Sequence, residues 1–299
     1  MSFAELKKKS QSNLQFLQKE LEKTVSNKNV DERFWKPEVD ASGNGYAVIR
    51  FLPAPDGETV PWAKVYSHAF QGPGGWYIEN SLTTLGDKDP VGEVNRRLWN
   101  SGDDADKDTA RKQKRKLSYY SNIQVIKDPK HPENEGKVFL YKYGKKIHDK
   151  ILAAMQPEFQ DETPVNVFDL WEGANFKLKI KKVAGFWNYD SSEFDSVSAL
   201  SADDSELEAT WKSEHSLEAF TAREQFKSYE DLEKRLQLVL GVSSRPSVPS
   251  VDDEEYEPVA ATPQSDFRKQ FNTPTPVKKD SVVEDDDALS YFASLAEDD

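Results

Sequence analysis

The sequence contains no cysteine, only four histidines and two methionines in 299 residues. Without thiols the chain forms no disulfide and offers no thiolate to a metal. No stretch approaches the length of a membrane span, and the opening MSFAELKKKSQSNLQFL lacks the apolar run of a signal peptide. A soluble protein is expected, not secreted and without a membrane partner. Catalytic signatures are missing as well: there is no GxxxxGK[ST] phosphate loop, no HExxH and no GxSxG elbow. His68, His131, His148 and His215 are scattered without ligand spacing. The acidic pairs Asp103-Asp104, Asp203-Asp204 and Asp252-Asp253 fall in loop or tail contexts, which disfavours a magnesium-dependent nuclease. The residues point to a binding protein rather than an enzyme.

Apolar residues make up 36% of the chain and the mean hydropathy is −0.78, which implies a modest core beside much unpacked sequence. Aromatics are plentiful at 11%, so rings outside a core are expected. The net charge of −13 is unevenly placed. Residues 243–299 hold fourteen acids and five bases, a net −9, and the body is close to neutral with local basic clusters. A polyanionic partner is therefore compatible with the body.

The most informative stretch is Arg111 to Pro129, RKQKRKLSYYSNIQVIKDP. Arg111–Lys116 carries five cations, Tyr119 and Tyr120 follow, and Ile123, Val125 and Ile126 read as a strand. Cations neutralise phosphates while flat rings stack on exposed bases, at ~1–3 kcal/mol per base. The competing reading is a solvated charge run beside an edge strand. Related segments recur at Tyr141–Lys146, with Tyr143, Lys145 and Lys146, and at Lys177–Tyr189, where Lys177, Lys179 and Lys181 share one strand face ahead of Phe186 and Tyr189. Arg50 lies within a further aromatic strand. Recurrence favours an unpaired nucleic-acid strand as ligand, held on short strands in the manner of an OB-fold. The residues alone leave DNA and RNA both open.

In chain order, residues 3–25 read as an amphipathic helix through Leu14, Leu17 and Leu21, with Lys7, Lys8, Lys9 and Ser10 as a basic-hydroxyl patch. Strands are expected at 46–52, 62–70 and 76–78, the last two as a hairpin around the glycine-rich turn at 72–75. Helix is expected at 91–99, an acidic loop at 101–109, strand at 138–143, helix at 147–155 and strand at 176–183. Residues 202–241 read as helical, with a capping box at Ser228 and a stop at Gly241. Beyond 242 the Ser, Pro, Thr and acid content reads as disordered, ending in Leu289, Phe292 and Leu295 at a spacing suited to a partner's surface.

Several blocks carry a family resemblance: GNGYAVIRFLP (43–53), GGWYIEN (74–80), KRKLSYYSNIQVIKDP (114–129), PENEGKVFLYKYGKKI (132–147), WEGANFKLKIKKVAGFWNYD (171–190) and FKSYEDL (226–232). In that order they resemble the single-stranded-DNA-binding, helix-destabilising proteins of T-even-like bacteriophages. The resemblance implies an α+β protein with a five-stranded OB-fold core, a small inserted subdomain, flanking helices and a disordered acidic tail. Residues 1–25 would be a basic arm for cooperativity through Lys7, Lys8, Lys9 and Ser10. Residues 26–242 would be the DNA-binding core, with the subdomain at about 68–110, and 243–299 a tail for partner proteins.

By position, Arg50, Lys114, Arg115 and Lys116 would contact the DNA backbone. Tyr119, Tyr120, Tyr141, Phe186 and Tyr189 would lie near the bases, with Tyr143, Lys145 and Lys146 beside them. The implied role is cooperative, largely sequence-independent binding in phage replication, recombination and repair, in the cytoplasm of the infected host. The alternative is an acidic-tailed scaffold recruiting phage replication and recombination proteins, with DNA binding secondary. The KRK-x-S motif at Lys114–Ser118 would let tail and phosphate backbone compete for one kind of surface. The family's structural zinc, bound through one histidine and three cysteines, is expected to be absent. His68 stands at the histidine position, but Ser81, Val91 and Val94 occupy the cysteine positions, so no cofactor is expected. Packing of Trp76, Leu82, Leu85, Leu98 and Trp99 would then hold the subdomain.

Overall fold

The computed structural model describes residues 31–159 and 161–241. Lys7, Lys8, Lys9 and Ser10, the helix expected at 3–25 and the tail expected at 243–299 lie outside the described residues. The first half contains β1 (Phe34–Trp35), β2 (Gly45–Phe51), β3 (Ala63–Gly72), β4 (Gly75–Asn80), α1 (Pro90–Asn100), α2 (Asp104–Gln113) and β5 (Lys116–Lys127). The second contains β6 (Val138–Tyr143), α3 (Lys145–Met155), β7 (Ala174–Val183), β8 (Phe186–Asn188), β9 (Glu193–Val197), α4 (Asp204–Lys212) and α5 (Tyr229–Leu240). Strands and helices intermix, an α+β architecture. The chain divides into two discontinuous units, one of residues 31–65 and 117–222, the other of 66–116 and 223–241.

In the first unit β2 is the central strand. It pairs antiparallel with β5 on one side and β7 on the other, with a register shift at Val48/Ile49. β6 pairs antiparallel with β5, β1 runs parallel to β6, and β8 and β9 both pair antiparallel with β7. A central strand covered on both faces is a near-continuous apolar run, and Ala47 to Phe51 is buried throughout, Arg50 included. Ile49, Phe51, Ile123, Phe176 and Leu178 form the middle of this core, with Ile147 and Ile151 of α3 packed against it. β7 alternates cleanly: Phe176, Leu178 and Ile180 are buried, and Lys177 and Lys179 face outward.

In the second unit β3 and β4 form the expected hairpin, paired from Ser67–Asn80 to Gly72–Gly75. Its core joins Phe70, Tyr77, Leu82 and Val91 to Leu232, Leu236 and Val239 of α5. Ser228 caps α5 through its side chain and Gly241 ends it at φ 71°, in the left-handed region open to glycine. Of the residues expected to hold this region, Leu82 and Leu85 are in the core and Trp76 is 54% exposed.

Three stretches differ from the sequence expectation. Residues 104–113 are helical, and the first six of them fall in the acidic loop expected at 101–109. DADKDTARKQ has no apolar period, but Asp103 caps it and Lys107–Asp104 and Arg111–Asp108 pair at i, i+3. The helical region expected at 202–241 is two helices, α4 and α5, separated by short 3-10 turns. β1 and β9 are short and lack an alternation that sequence could register.

The segment after α4 carries a buried carboxyl. Asn122 clasps the backbone of His215 with two hydrogen bonds, of 2.8 and 2.9 Å, and Glu58 caps Leu217 N at 2.9 Å. Glu214, beside them, has neither carboxylate oxygen hydrogen-bonded. Burial, reinforced by the nearby Glu58 charge and only partly countered by Asn122, pushes its carboxyl up from 4.5 to about 8. A proton held in the fold but lost from the unfolded chain makes stability fall as pH rises from about 4.5 to about 8, on the order of 3 kcal/mol in all. Glu214→Gln should therefore raise the melting temperature at about pH 9 and leave it nearly unchanged at about pH 5. Equal shifts at the two pH values would refute the assignment.

Candidate nucleic-acid interface

The period of two in β5 and β6 separates the rings that sequence grouped together. Tyr119 points inward and Tyr120 outward; Tyr141 and Tyr143 point inward and Lys142 outward. Tyr119, Tyr141 and Tyr143 are 7%, 3% and 4% exposed. They form a stacked ladder, with Tyr119 to Tyr143 at 5.7 Å and Tyr143 to Tyr141 at 5.6 Å, and His148 lies over Tyr119 at 3.8 Å. Tyr143 Oη and Ser121 Oγ are hydrogen-bonded at 2.9 Å. Burial raises the Tyr141 and Tyr143 phenols well above their ordinary range and lowers the His148 imidazole. These three tyrosines build the core and leave almost no ring face for a base. Their aromatic bulk fills the core side of the sheet.

Arg50 requires the same correction. It is fully buried, so it has no surface to offer a phosphate. One guanidinium nitrogen donates to Ser198 O, another reaches Asn175 Oδ1 at 3.4 Å, and Nε has no partner. Burial depresses its pKa and the Asp169 carboxylate partly restores it. This buried cation ties β2 to Asn175 of β7 and to the backbone just after β9.

The outward rings and cations meet in a groove of about 900 Å³ within the first unit. Its walls include Phe34, Lys36, Tyr120, Lys142, Trp187 and Tyr189, with His131 on the rim and Trp35 and Tyr141 beneath. Tyr120 rests one face on Phe220, centroids 4.4 Å apart and nearly parallel, and Lys142 Nζ lies 5.5 Å from its ring. Trp35 Nε1 donates to Asp128 Oδ2 at 2.8 Å, and Asp128 Oδ1 in turn accepts from His131 N at 3.2 Å, so a buried pair sets the rim loop. Phe186 and Trp187, 68% and 46% exposed, lie on β8 after a two-residue turn in which Ala184 and Gly185 both have positive φ.

His131 Nδ1 is 3.0 Å from Glu133 and Nε2 is 2.7 Å from Glu38. Those two carboxylates, Glu133 first, raise the imidazole above its usual 6.5. Deprotonation removes a cation and leaves both acids uncompensated on a rim already carrying Asp31 and Glu32. Affinity for a polyanion should thus hold below neutrality and fall as pH rises through the raised value. A His131→Ala variant titrated at several pH values should lose that step; an identical profile would count against it.

Several expected cations are already paired. Lys177 binds Asp195 at 2.8 Å and Lys179 binds Glu193 at 2.7 Å, so β9 neutralises most of the β7 row. Lys145 pairs with Asp149 and Lys146 with Asp190. Lys36 and Lys142 make no ion pair among the described residues, and neither is among the site residues expected from sequence. Their signal was available: Lys142 alternates with Tyr141 and Tyr143, and Lys36 follows Phe34-Trp35.

Lys114, Arg115 and Lys116 belong to the second unit, at the end of α2 and the start of β5. Lys116 is exposed, and Arg115 and Lys114 are half-buried. The Arg115 guanidinium lies 4.1 Å from the centre of the Tyr66 ring and Arg111 lies 5.3 Å from that of Trp99.

Comparison with known proteins bears directly on this groove. Residues 43–240 match the family model described as "gp32 DNA binding protein like". The chain belongs to this family. It is 40% identical over 248 residues to the single-stranded DNA-binding protein of Enterobacteria phage T2, with 82% of each chain covered. The protein of the same name from Enterobacteria phage T4 matches with the same identity and coverage. That of Escherichia phage SV14 is 49% identical over 59 residues. The family comprises binding proteins, not enzymes.

The residues at the family's zinc position do not suit zinc. His68 is present and buried, but Ser81, Val91 and Val94 supply no thiolate. His68 Nδ1 is engaged with Gln113 O at 2.9 Å and Nε2 faces Asp89 at 3.3 Å. Among the described residues no group of three or more histidine and acidic side chains is arranged to hold a metal.

Proposed function

We propose that this protein binds single-stranded DNA, with little sequence preference, through the groove lined by Tyr120, Lys142, Trp187, Tyr189 and Lys36. The observation that carries the reading is the groove itself: partly exposed rings beside Lys36 and Lys142, which make no ion pair among the described residues. Rings accept any base and cations follow the backbone, so affinity is salt-dependent and sequence-tolerant. In this reading the sheet of the first unit is an OB-fold barrel. The ladder of Tyr119, Tyr141 and Tyr143 and the buried Arg50 stiffen it from below. Lys114, Arg115 and Lys116 add backbone contacts, and Phe186 stands at the end of the stacking row.

Binding unpaired strands in preference to duplex pulls the melting equilibrium by mass action. The protein would so serve replication, recombination and repair of phage DNA inside the infected host. Residues 1–25, with Lys7, Lys8, Lys9 and Ser10, would link neighbouring copies along the strand. Residues 243–299 would engage phage replication and recombination proteins.

Titrating tryptophan fluorescence with a single strand, the matching duplex and a single-stranded RNA tests the reading. The single DNA strand should bind far more tightly than the duplex, with affinity falling steeply in salt. Equal affinity for strand and duplex, or indifference to salt, would overturn it. Deleting 243–299 removes a net charge of −9 and should tighten binding; unchanged affinity would exclude the tail as an internal competitor.

A further inference from the structure

Asp89 is 3% exposed and sits where β3, the turn after β4, α1 and α2 converge. Its Oδ1 accepts from Val91 N at 3.0 Å and Gly92 N at 3.2 Å, the first free amides of α1. Its Oδ2 accepts from Ser81 Oγ at 2.9 Å and Leu82 N at 3.1 Å. His68 Nε2 on β3 lies 3.3 Å from Oδ1, and His68 Nδ1 reaches Gln113 O at the end of α2, 2.9 Å away. Both imidazole nitrogens therefore face acceptor oxygens. Four successive stretches of the chain meet at one buried group.

We propose that this carboxylate-centred node is the cross-link of residues 66–116, taking the place that a zinc ion holds in metal-binding relatives, and that the unit folds without metal. The chemistry favours the exchange. A metal gathers ligands from separate elements by charge and directed bonds; Asp89 does so by accepting four hydrogen bonds and lying against the His68 imidazole. Burial works against its charge, but His68, Ser81 and the Gly92 amide more than offset this and hold the carboxyl below its ordinary range. Ser81 both occupies a position that a thiolate would need and turns its hydroxyl to the node. Val91, fully buried, fills its own position with core. The arrangement is self-sufficient: each polar arm of the node ends on a partner within the unit.

The test uses the full chain. Metal analysis of the purified protein should find zinc well below one per chain, and a strong chelator should leave the melting curve unmoved. One zinc per chain, or a melting temperature lowered by chelator, would overturn the proposal. Asp89→Asn keeps the shape but replaces two acceptor oxygens with one and removes the charge. It should lower the melting temperature by roughly 10 °C or more. Ser81→Ala removes a single arm and should shift it by a few degrees, which keeps the proposal testable where D89N does not fold. Hydrogen exchange gives a readout that general destabilisation does not. In the intact protein the Leu82, Val91 and Gly92 amides should be protected with or without chelator. In S81A the loss of protection should centre on Leu82, whose amide shares Oδ2 with the deleted hydroxyl. Unchanged melting in both variants would show the node to be dispensable.

Discussion

Replacing Trp187 with alanine should weaken single-strand binding roughly 5- to 150-fold at fixed salt, the worth of one stacked base at ~1–3 kcal/mol. Trp187 is half exposed and borders the groove, so its loss removes a stacking face without opening the core. Stability should change by no more than ~0.5 kcal/mol, as for most surface substitutions. Lys142→Ala makes the complementary cut. It should lower affinity uniformly across sequences and reduce the slope of log affinity against log salt by about 0.7, the value for one phosphate contact on a single strand. Fluorescence from the remaining tryptophans, or anisotropy of a labelled strand, reads both. Wild-type affinity in W187A would remove the groove as the stacking site. An unchanged salt slope in K142A would remove Lys142 as a phosphate contact.

Arg50→Ala should act on stability instead, by about 3–5 kcal/mol, because it leaves a cavity and strips Ser198 O and Asn175 of their donor. Arg50→Met retains most of the volume and should cost less. Neither variant, measured where it is folded, should alter the salt slope of DNA binding, since a group with no exposed surface cannot release counterions. Denaturant unfolding and a salt titration on the same preparations decide the matter. A changed slope with normal stability would return Arg50 to the interface.

The strands were legible because alternation is a local signal, and β2, β6 and β7 fall within two residues of their expected bounds. The groove was legible only in part. Composition places rings and cations together, but the pleat then sends Tyr119, Tyr141 and Tyr143 to one side and Tyr120 and Lys142 to the other. Which side is core depends on what covers the sheet, and that is settled by how α3 and β7 pack in space. The pairing of Lys177 and Lys179 was hidden for a similar reason: Asp195 and Glu193 reach them across a register no local pattern specifies. Asp89 carries no local sequence signal beyond its place just ahead of the helix expected at 91–99. Its wider role needs His68 and Ser81 in space.

The second unit is closed by a helix that arrives late. Phe70, Tyr77, Leu82 and Val91 need Leu232, Leu236 and Val239 to complete their core. On the ribosome, more than a hundred residues separate the two halves. At ~5–20 residues per second the hairpin and α1 wait on the order of 10 s with an apolar face uncovered. During that interval the polar node, whose members all lie between His68 and Gln113, can already form. A cross-link drawn wholly from the early half holds those elements in register until the closing helix emerges.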